Sequence, residues 1–134
     1  MNNYFTIDEL TKSQTADIHN IDNTPPKQAL YNLEYIISKL NCIREEFGKP
    51  IYVNSGYRCS ELNGLVGGEK TSYHLKGLAV DITAGSIAEN KRLFNLIRYN
   101  YEFDKLICEK GYLWLHLQYP EEFKKPRNKV LYID

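Results

Sequence analysis

The stretch Leu78-Ala-Val-Asp-Ile-Thr83 contains the clearest strand pattern in the chain and places a carboxylate within it. Leu78, Val80 and Ile82 alternate with small or polar residues, and a period of two predicts a β-strand with one face toward a core. Asp81 lies on the opposite face, among apolar neighbours. Because an unpaired buried charge is very costly, this carboxylate needs a metal ion, an arginine or a set of backbone amides as its partner.

Two of the three histidines are candidate partners for Asp81. His74 precedes the strand in a loop, and Gly77 allows the sharp turn that brings it beside Asp81. His116 lies between two leucines in a second strand candidate, where a polar side chain again needs a partner. Two imidazoles and one carboxylate, with a fourth position open to water, form a catalytic zinc site. We therefore predict that His74, Asp81 and His116 bind one Zn²⁺ per chain, which would acidify a water and polarise a scissile carbonyl.

Periodicity predicts an α+β fold around this strand. Helices are predicted at 7–19, with Thr6 as N-cap, at 26–47 and at 86–100, together with a shorter helical segment at 60–66. Further strands are predicted at 51–54, 105–109, 113–119 and 129–133, with a hairpin at Lys110-Gly111. Helices that come first, followed by strands mixed with one helix, indicate a mainly antiparallel sheet that carries the zinc site and is packed by helices.

The composition predicts one soluble domain spanning 1–134, with no nucleic-acid or membrane partner. The chain has 134 residues, 43% hydrophobic and 25% charged, and its 17 basic and 17 acidic residues give no net charge. A neutral balance disfavours a dominant basic face for nucleic acid, and no apolar run approaches the ~20 residues of a membrane span. The N-terminus lacks the features of a secretory signal. We therefore expect synthesis in the cytoplasm, reduced cysteines and a monomer.

Hydrolysis needs a general base near the metal, and three glutamates compete for that role. Glu109 ends the strand that precedes His116, and we predict that it is the base. Glu61 and Glu69 lie in polar segments that look mobile. If Glu109 is not the base, it is a solvated hairpin end.

Arg58 and Ser72 are the candidate substrate-binding residues. The planar guanidinium of Arg58 suits a substrate carboxylate, or the oxyanion that forms during hydrolysis. Its structural alternative is a salt bridge to Glu61. Ser72 would hydrogen-bond the substrate, or else cap a loop.

Several motifs follow one another along the chain. They are Ser55-Gly-Tyr-Arg58, Leu62-Asn63, Val66-Gly-Gly68, Ser72-x-His74-x-x-Gly77-x-Ala79-x-Asp81 and Trp114-x-His116. Together they resemble the zinc D-alanyl-D-alanine carboxypeptidase family, which also contains the L-alanyl-D-glutamate endolysins of phages. The start of the chain resembles the short phage-type branch, through Phe5-Thr-Ile-Asp-Glu-Leu10, Ser13-x-Thr15-Ala16 and Ile21-x-Asn23-x-Pro25.

This resemblance implies a zinc peptidase that cuts peptidoglycan stem peptides, at a D-Ala–D-Ala bond or at the L-Ala–D-Glu bond. It implies His74, Asp81 and His116 as zinc ligands on the antiparallel sheet of a hedgehog-type fold. It also implies Arg58 near the substrate carbonyl or carboxylate, and Ser72 in the lining of the site.

The position of the catalytic acid departs from one form of the family pattern. Many members carry this acid three residues before the last histidine, where this chain has Leu113. Other phage-type members carry a glutamate in a Phe-Asp-x-x-Ile-x-Glu pattern, which Phe103-Asp-Lys-Leu-Ile-Cys-Glu109 resembles. The resemblance therefore favours Glu109.

Two other functions and the route to the wall stay open. A non-catalytic zinc module that binds a wall fragment or a protein would explain the missing acid at Leu113. A non-haem iron oxygenase uses two histidines and one carboxylate, although usually on a barrel of many strands. A wall enzyme without a signal needs another route out of the cytoplasm, such as a phage holin or delivery on a virion. Otherwise it processes soluble fragments in the cytosol.

Overall fold

A computed structural model describes residues 2–134, and within them five strands form one sheet. The strands, in the spatial order β1-β2-β4-β3-β5, are β1 (Tyr52–Ser55), β2 (Ala79–Thr83), β3 (Lys105–Glu109), β4 (Trp114–Gln118) and β5 (Lys129–Ile133). Neighbouring strands are antiparallel except for β3 and β5, which are parallel. The helices are α1 (Ile7–Thr11), α2 (Gln14–Ile18), α3 (Lys27–Phe47), α4 (Ser60–Leu65) and α5 (Ile87–Asn100). The predicted α+β class with a mainly antiparallel sheet is confirmed.

One face of the sheet shares the hydrophobic core with the helices. Val80 and Ile82 of β2 are fully buried on this face. They belong to the same cluster as the apolar stripe of α3, which includes Leu33 and Ile36. Each fully buried aliphatic side chain of this kind contributes about 1.5–3 kcal/mol. The core face therefore stabilises the fold and leaves the opposite face available for polar groups.

The opposite face brings polar side chains from three strands into register. Asp81 on β2 pairs with His116 on β4, and His116 pairs with Ile107 on β3. Paired residues point their side chains to the same side of a sheet, so Asp81 and His116 are neighbours. Glu109 lies on this face as well, two positions along β3 from Ile107.

Gly77 lets the chain pass close to α3 just before it enters β2. Its φ is +71°, and a Cβ at this position would lie 2.6 Å from the carbonyl oxygen of Ala29. The short 3₁₀ helix Tyr73–Lys76 ends at this glycine. This turn, predicted from the sequence, places His74 next to β2.

The N-terminal helix predicted at 7–19 is instead two short helices, and the prediction of one helix was wrong. Lys12 and Ser13 are extended, and the Ser13 hydroxyl accepts a hydrogen bond from the Ala16 amide at 3.1 Å. A capping serine starts a new helix because it satisfies an amide that has no partner within that helix. The predicted cap at Thr6 is present, with its hydroxyl accepting from the Glu9 amide at 3.2 Å. No helix within residues 2–134 is both long and apolar enough to cross a membrane.

The turn between β3 and β4 is longer than the predicted Lys110-Gly111 hairpin. Lys110, Gly111 and Tyr112 all have positive φ, so the chain stays in the left-handed region over three residues. Leu113 consequently lies in the turn rather than in β4. The buried Asn90 side chain holds this turn by donating to the carbonyls of Tyr112 and Leu113 at 3.0 and 3.1 Å.

Candidate metal centre

Three side chains converge at one point on the polar face of the sheet. Asp81 Oδ2 lies 3.3 Å from His74 Nε2, and Asp81 Oδ1 lies 3.1 Å from His116 Nδ1. One ligand atom from each residue lies within 4.8 Å of the others. Four ligands at about 2.0–2.1 Å in tetrahedral geometry stand roughly 3.3 Å apart, so the spacing suits one small metal ion.

Each histidine ring is held from behind by an oxygen atom. The Gly56 carbonyl accepts a hydrogen bond from His74 Nδ1 at 2.7 Å. The Gln118 side-chain oxygen lies 3.1 Å from His116 Nε2 and accepts from it. Outer hydrogen bonds of this kind fix the tautomer and orientation of metal-binding imidazoles.

Because of these outer hydrogen bonds, only acceptor atoms face one another at the centre, and a cation is needed between them. A neutral imidazole has one N–H, and in both rings the outer acceptor uses it. The inner nitrogens of His74 and His116 then direct lone pairs toward the carboxylate of Asp81, an arrangement that is repulsive without a cation between them. The donor set of two imidazoles and one carboxylate therefore fits a divalent metal such as zinc.

The electrostatics of Asp81 agree with this assignment. Burial alone would raise its pKa, but the imidazoles of His116 and His74 beside the carboxylate outweigh burial and hold the pKa well below the ordinary value. The carboxylate is consequently ionised at neutral pH, the form in which it binds a metal.

Arg58 lies beside the metal centre and is anchored by two polar side chains. Its Nε donates to Asn63 Oδ1 at 3.1 Å, and its Nη1 donates to Ser55 Oγ at 3.4 Å. Burial lowers the pKa of the guanidinium, while the charge of Asp81 opposes that effect. The alternative salt bridge to Glu61 is not among the ion pairs formed by residues 2–134.

The glycine at position 68 makes room for the anchor of Arg58. A Cβ on Gly68 would lie 2.1 Å from Asn63 Oδ1, the atom that accepts from Arg58. The Asn63 amide also donates to the Glu69 carbonyl at 2.9 Å, which ties α4 to this loop. Asn63 and Gly68, which belong to the motifs Leu62-Asn63 and Val66-Gly-Gly68, therefore help to hold the arginine in place.

We expect Gly68→Ala to lower kcat/KM for a peptide substrate about tenfold or more while the zinc content stays unchanged. The added methyl group displaces Asn63, and Arg58 loses a charge-assisted hydrogen bond of roughly 1.5–3 kcal/mol. Steady-state kinetics and metal analysis on the same preparation measure this. Gly64→Ala is the matched control, because a Cβ there meets nothing within 4 Å. Equal kinetics for the two variants would show that Arg58 does not depend on Asn63.

Glu109 faces the metal centre with a carboxylate that is not engaged elsewhere. It makes no hydrogen bond or ion pair with other side chains among residues 2–134. Burial and the nearby charge of Asp81 raise its pKa, and His116, Lys110 and His74 oppose this rise without cancelling it. Of the competitors, Glu61 and Glu69 are exposed on and after α4. Leu113, three residues before His116, is 55% exposed in the turn.

Ser72 caps the short helix that carries His74. Its Oγ accepts a hydrogen bond from the His74 amide at 3.2 Å and starts the 3₁₀ helix that carries this histidine. His19, which the sequence does not connect with the site, is exposed at the end of α2.

A groove adjoins the centre at the free edge of β1. Its volume is about 630 Å³, within the usual range of ligand sites. Arg58 and Ser55, which lie near Asp81, line the groove together with Glu9 of α1 and Lys12 of the segment that follows it. The break between α1 and α2 therefore shapes this groove.

Three polar residues at the site were not among the predicted site residues. Gln118 follows His116 by two positions on β4, so the strand period alone would have placed the two side by side. Asp104 is part of the Phe103–Glu109 motif but was not given a role. Asn63 lies on α4 only five residues after Arg58, and its side chain accepts from the guanidinium, but the Leu62-Asn63 motif was not given a role.

Two matches with known proteins support the assignment of this site. The model of a family described as Peptidase M15 matches residues 3–118, most of the chain. A zinc D-Ala-D-Ala carboxypeptidase of Streptomyces albus G is 47% identical over 49 residues. These residues are 36% of this chain and 19% of that protein, so the chain matches about a fifth of the length of this curated relative.

Proposed function

The chain belongs to the peptidase M15 family, and we propose that it is a zinc-dependent peptidase that hydrolyses a peptide bond in peptidoglycan stem peptides. The observation that carries this proposal is the convergence of His74, Asp81 and His116 around a point that needs a cation. The family resemblance predicted from the sequence motifs is confirmed by the family match.

The substrate class is supported by the relative and by the charge of the site. The matched relative is a carboxypeptidase of D-Ala-D-Ala, and the stem peptides of peptidoglycan contain such bonds and free carboxylates. A cationic Arg58 at the mouth of the groove suits a peptide with a carboxylate near the scissile bond. The bond cut is D-Ala–D-Ala or L-Ala–D-Glu.

His74 Nε2, Asp81 and His116 Nδ1 would hold the zinc. When bound, zinc supplies Lewis acidity, which acidifies a water and polarises a peptide carbonyl. Three protein ligands leave a position open, as catalytic zinc sites require.

Glu109 acts as the general base and then as the acid. Its carboxylate accepts a proton during attack on the carbonyl and returns one to the leaving amine. The raised pKa of Glu109 suits this exchange, because a base works best when its pKa approaches the working pH.

Arg58 orients the substrate and stabilises developing charge. Its guanidinium, anchored by Asn63 and Ser55, is directed to a substrate carboxylate or to the oxyanion of the tetrahedral intermediate. The groove along β1 receives the remainder of the peptide. Ser72 lines the site and supports His74 from the start of the 3₁₀ helix.

The proposal extends to the domain organisation of the protein and to its route to the cell wall. The chain acts as a single metallopeptidase domain, 1–134, and as a monomer. Its N-terminal motifs resemble the short phage-type endolysins, and on that basis it is released to the cell wall by a phage-mediated route after synthesis in the cytoplasm.

Removal of zinc is the direct test. We expect the protein stripped with a chelator to release no new amino groups from purified peptidoglycan, and one equivalent of Zn²⁺ to restore the release. A catalytic metal is required at each turnover, so the loss should be essentially complete. Release at the wild-type rate from protein shown by metal analysis to be zinc-free would contradict the proposal.

A further inference from the structure

A line of polar side chains leads from His116 away from the metal centre. Gln118 Nε2 donates to Asp104 Oδ2 at 2.8 Å. Arg127 donates two hydrogen bonds to the same carboxylate, from Nε to Oδ1 at 2.8 Å and from Nη2 to Oδ2 at 2.7 Å. Gln118 and Asp104 are 5% and 3% exposed, so water does not substitute freely for these partners.

The donors and acceptors of these four residues can be arranged in only one way. Arg127 lowers the pKa of Asp104 and keeps it ionised, and an ionised carboxylate only accepts hydrogen bonds. The Gln118 amide must therefore turn its NH₂ group to Asp104 and its oxygen to His116. That oxygen also only accepts, so Nε2 carries the proton of the neutral His116 imidazole and Nδ1 keeps its lone pair on the side of Asp81.

We propose that Arg127, Asp104 and Gln118 are positioning residues that fix the tautomer and orientation of His116, so that Nδ1 is the nitrogen that binds the metal. This inference rests on the proposed zinc site. The histidine on the other side needs no such device, because the Gly56 backbone carbonyl performs the same task for His74.

The fold explains how three distant residues form this line. Asp104 directly precedes β3, and its amide donates to the Gln118 carbonyl at 2.8 Å. The Asp104 carbonyl in turn accepts from the Lys129 amide at 3.0 Å, which places Arg127 beside the carboxylate just before β5. Arg127 lies beyond residue 118, where the family match ends, so this last member comes from outside the matched region.

Two substitutions interrupt the line in different ways. Gln118→Leu removes the acceptor behind His116. Asp104→Asn introduces an amide that can itself donate, so that Gln118 can turn over and present its NH₂ group to His116 Nε2. Such an imidazole would direct an N–H of Nδ1 at the metal. We expect either variant to lower zinc affinity about 10- to 100-fold, the usual effect of changes behind a metal ligand.

The control is Asn128→Gly, which removes a hydrogen bond in the same region but none of those that join Arg127, Asp104, Gln118 and His116. The Asn128 side chain accepts from the Phe103 amide at 3.1 Å, and glycine tolerates the positive φ of this position. We expect zinc affinity near the wild-type value in this variant, even if the protein unfolds at lower temperature. Arg127→Lys retains the charge beside Asp104 and should bind zinc more tightly than Arg127→Met.

Zinc affinity is measured by competition with a chromophoric chelator. Nitrogen-15 spectra of the zinc-loaded, histidine-labelled protein identify the nitrogen of His116 that binds the metal. We expect Nδ1 in the wild type and a population with Nε2 bound in Asp104→Asn. A purely structural role for Asp104 would not move this signal.

Several outcomes would overturn the inference. They are wild-type zinc affinity in both Gln118→Leu and Asp104→Asn, an unchanged His116 spectrum in Asp104→Asn, and an equal loss of affinity in Asn128→Gly. Zinc bound by the wild type without any cleavage would refute the proposed function and leave this inference standing. A wild-type protein that binds no zinc would refute both.

Discussion

Asp81→Asn is expected to lose both the bound zinc and the cleavage of peptidoglycan while the protein remains folded. The carboxylate is the only negatively charged ligand in the predicted set, and it lies between both imidazoles at 3.3 and 3.1 Å. Changes behind a ligand alone cost about 10- to 100-fold in metal affinity, so the loss of a ligand charge should cost at least about 100-fold.

The fold should survive this change because the stabilising core lies on the other face of the sheet. Val80 and Ile82, the neighbours of Asp81, are fully buried there and are unaltered. Metal analysis, circular dichroism and a peptidoglycan digest on one preparation separate the two effects. Asp17→Asn, an exposed aspartate on α2, is the control and should behave as the wild type. A full equivalent of zinc in Asp81→Asn would exclude this residue as a ligand.

Glu109→Gln is expected to retain zinc and to lose about 10²- to 10⁴-fold in kcat, with little change in KM. Glutamine keeps the size of the side chain but cannot accept or return a proton, and a positioned acid or base contributes a factor of this order. The zinc should stay because Glu109 is not among the three residues whose ligand atoms converge.

The rival glutamates provide the comparison for this variant. Glu61→Gln and Glu69→Gln should keep wild-type kcat, since both residues are exposed and neither is among the three whose ligand atoms converge. Activity that survives in Glu109→Gln would refute its role as base. Full zinc in the wild type with no activity at all would instead favour a non-catalytic zinc module, the function that the missing acid at Leu113 leaves open.

The parts of the site that follow from strand periodicity could be predicted from the sequence. Alternation around Asp81 and around His116 places both residues on the polar face of the sheet, and the register of β2 and β4 makes them neighbours. Gly77 predicts the turn that brings His74 to Asp81 and His116, because few residue types other than glycine adopt its left-handed backbone conformation. The α+β class follows from the same periods.

The parts that depend on long-range contacts could not be predicted. The partner of Asp104 is Arg127, which nothing local connects with it, and the two meet only because β3 and β5 pair in parallel. The prediction of one helix at 7–19 was wrong for a local reason. The Ser13 side chain caps a new helix by accepting from a backbone amide, and this hydrogen bond is favoured over continuation of the first helix. The long turn before β4 is held by Asn90 from α5, again a contact between distant segments.

Mass spectrometry of the products from digested, purified peptidoglycan tests the central claim most directly. The zinc-loaded wild-type protein is predicted to convert intact stem peptides into fragments cut at a single kind of bond. Either free D-Ala is lost from the peptide end, or the peptide is separated between L-Ala and D-Glu. The same digest with zinc-free protein should contain only intact stem peptides. Intact stem peptides after digestion with fully zinc-loaded wild-type protein would contradict the account.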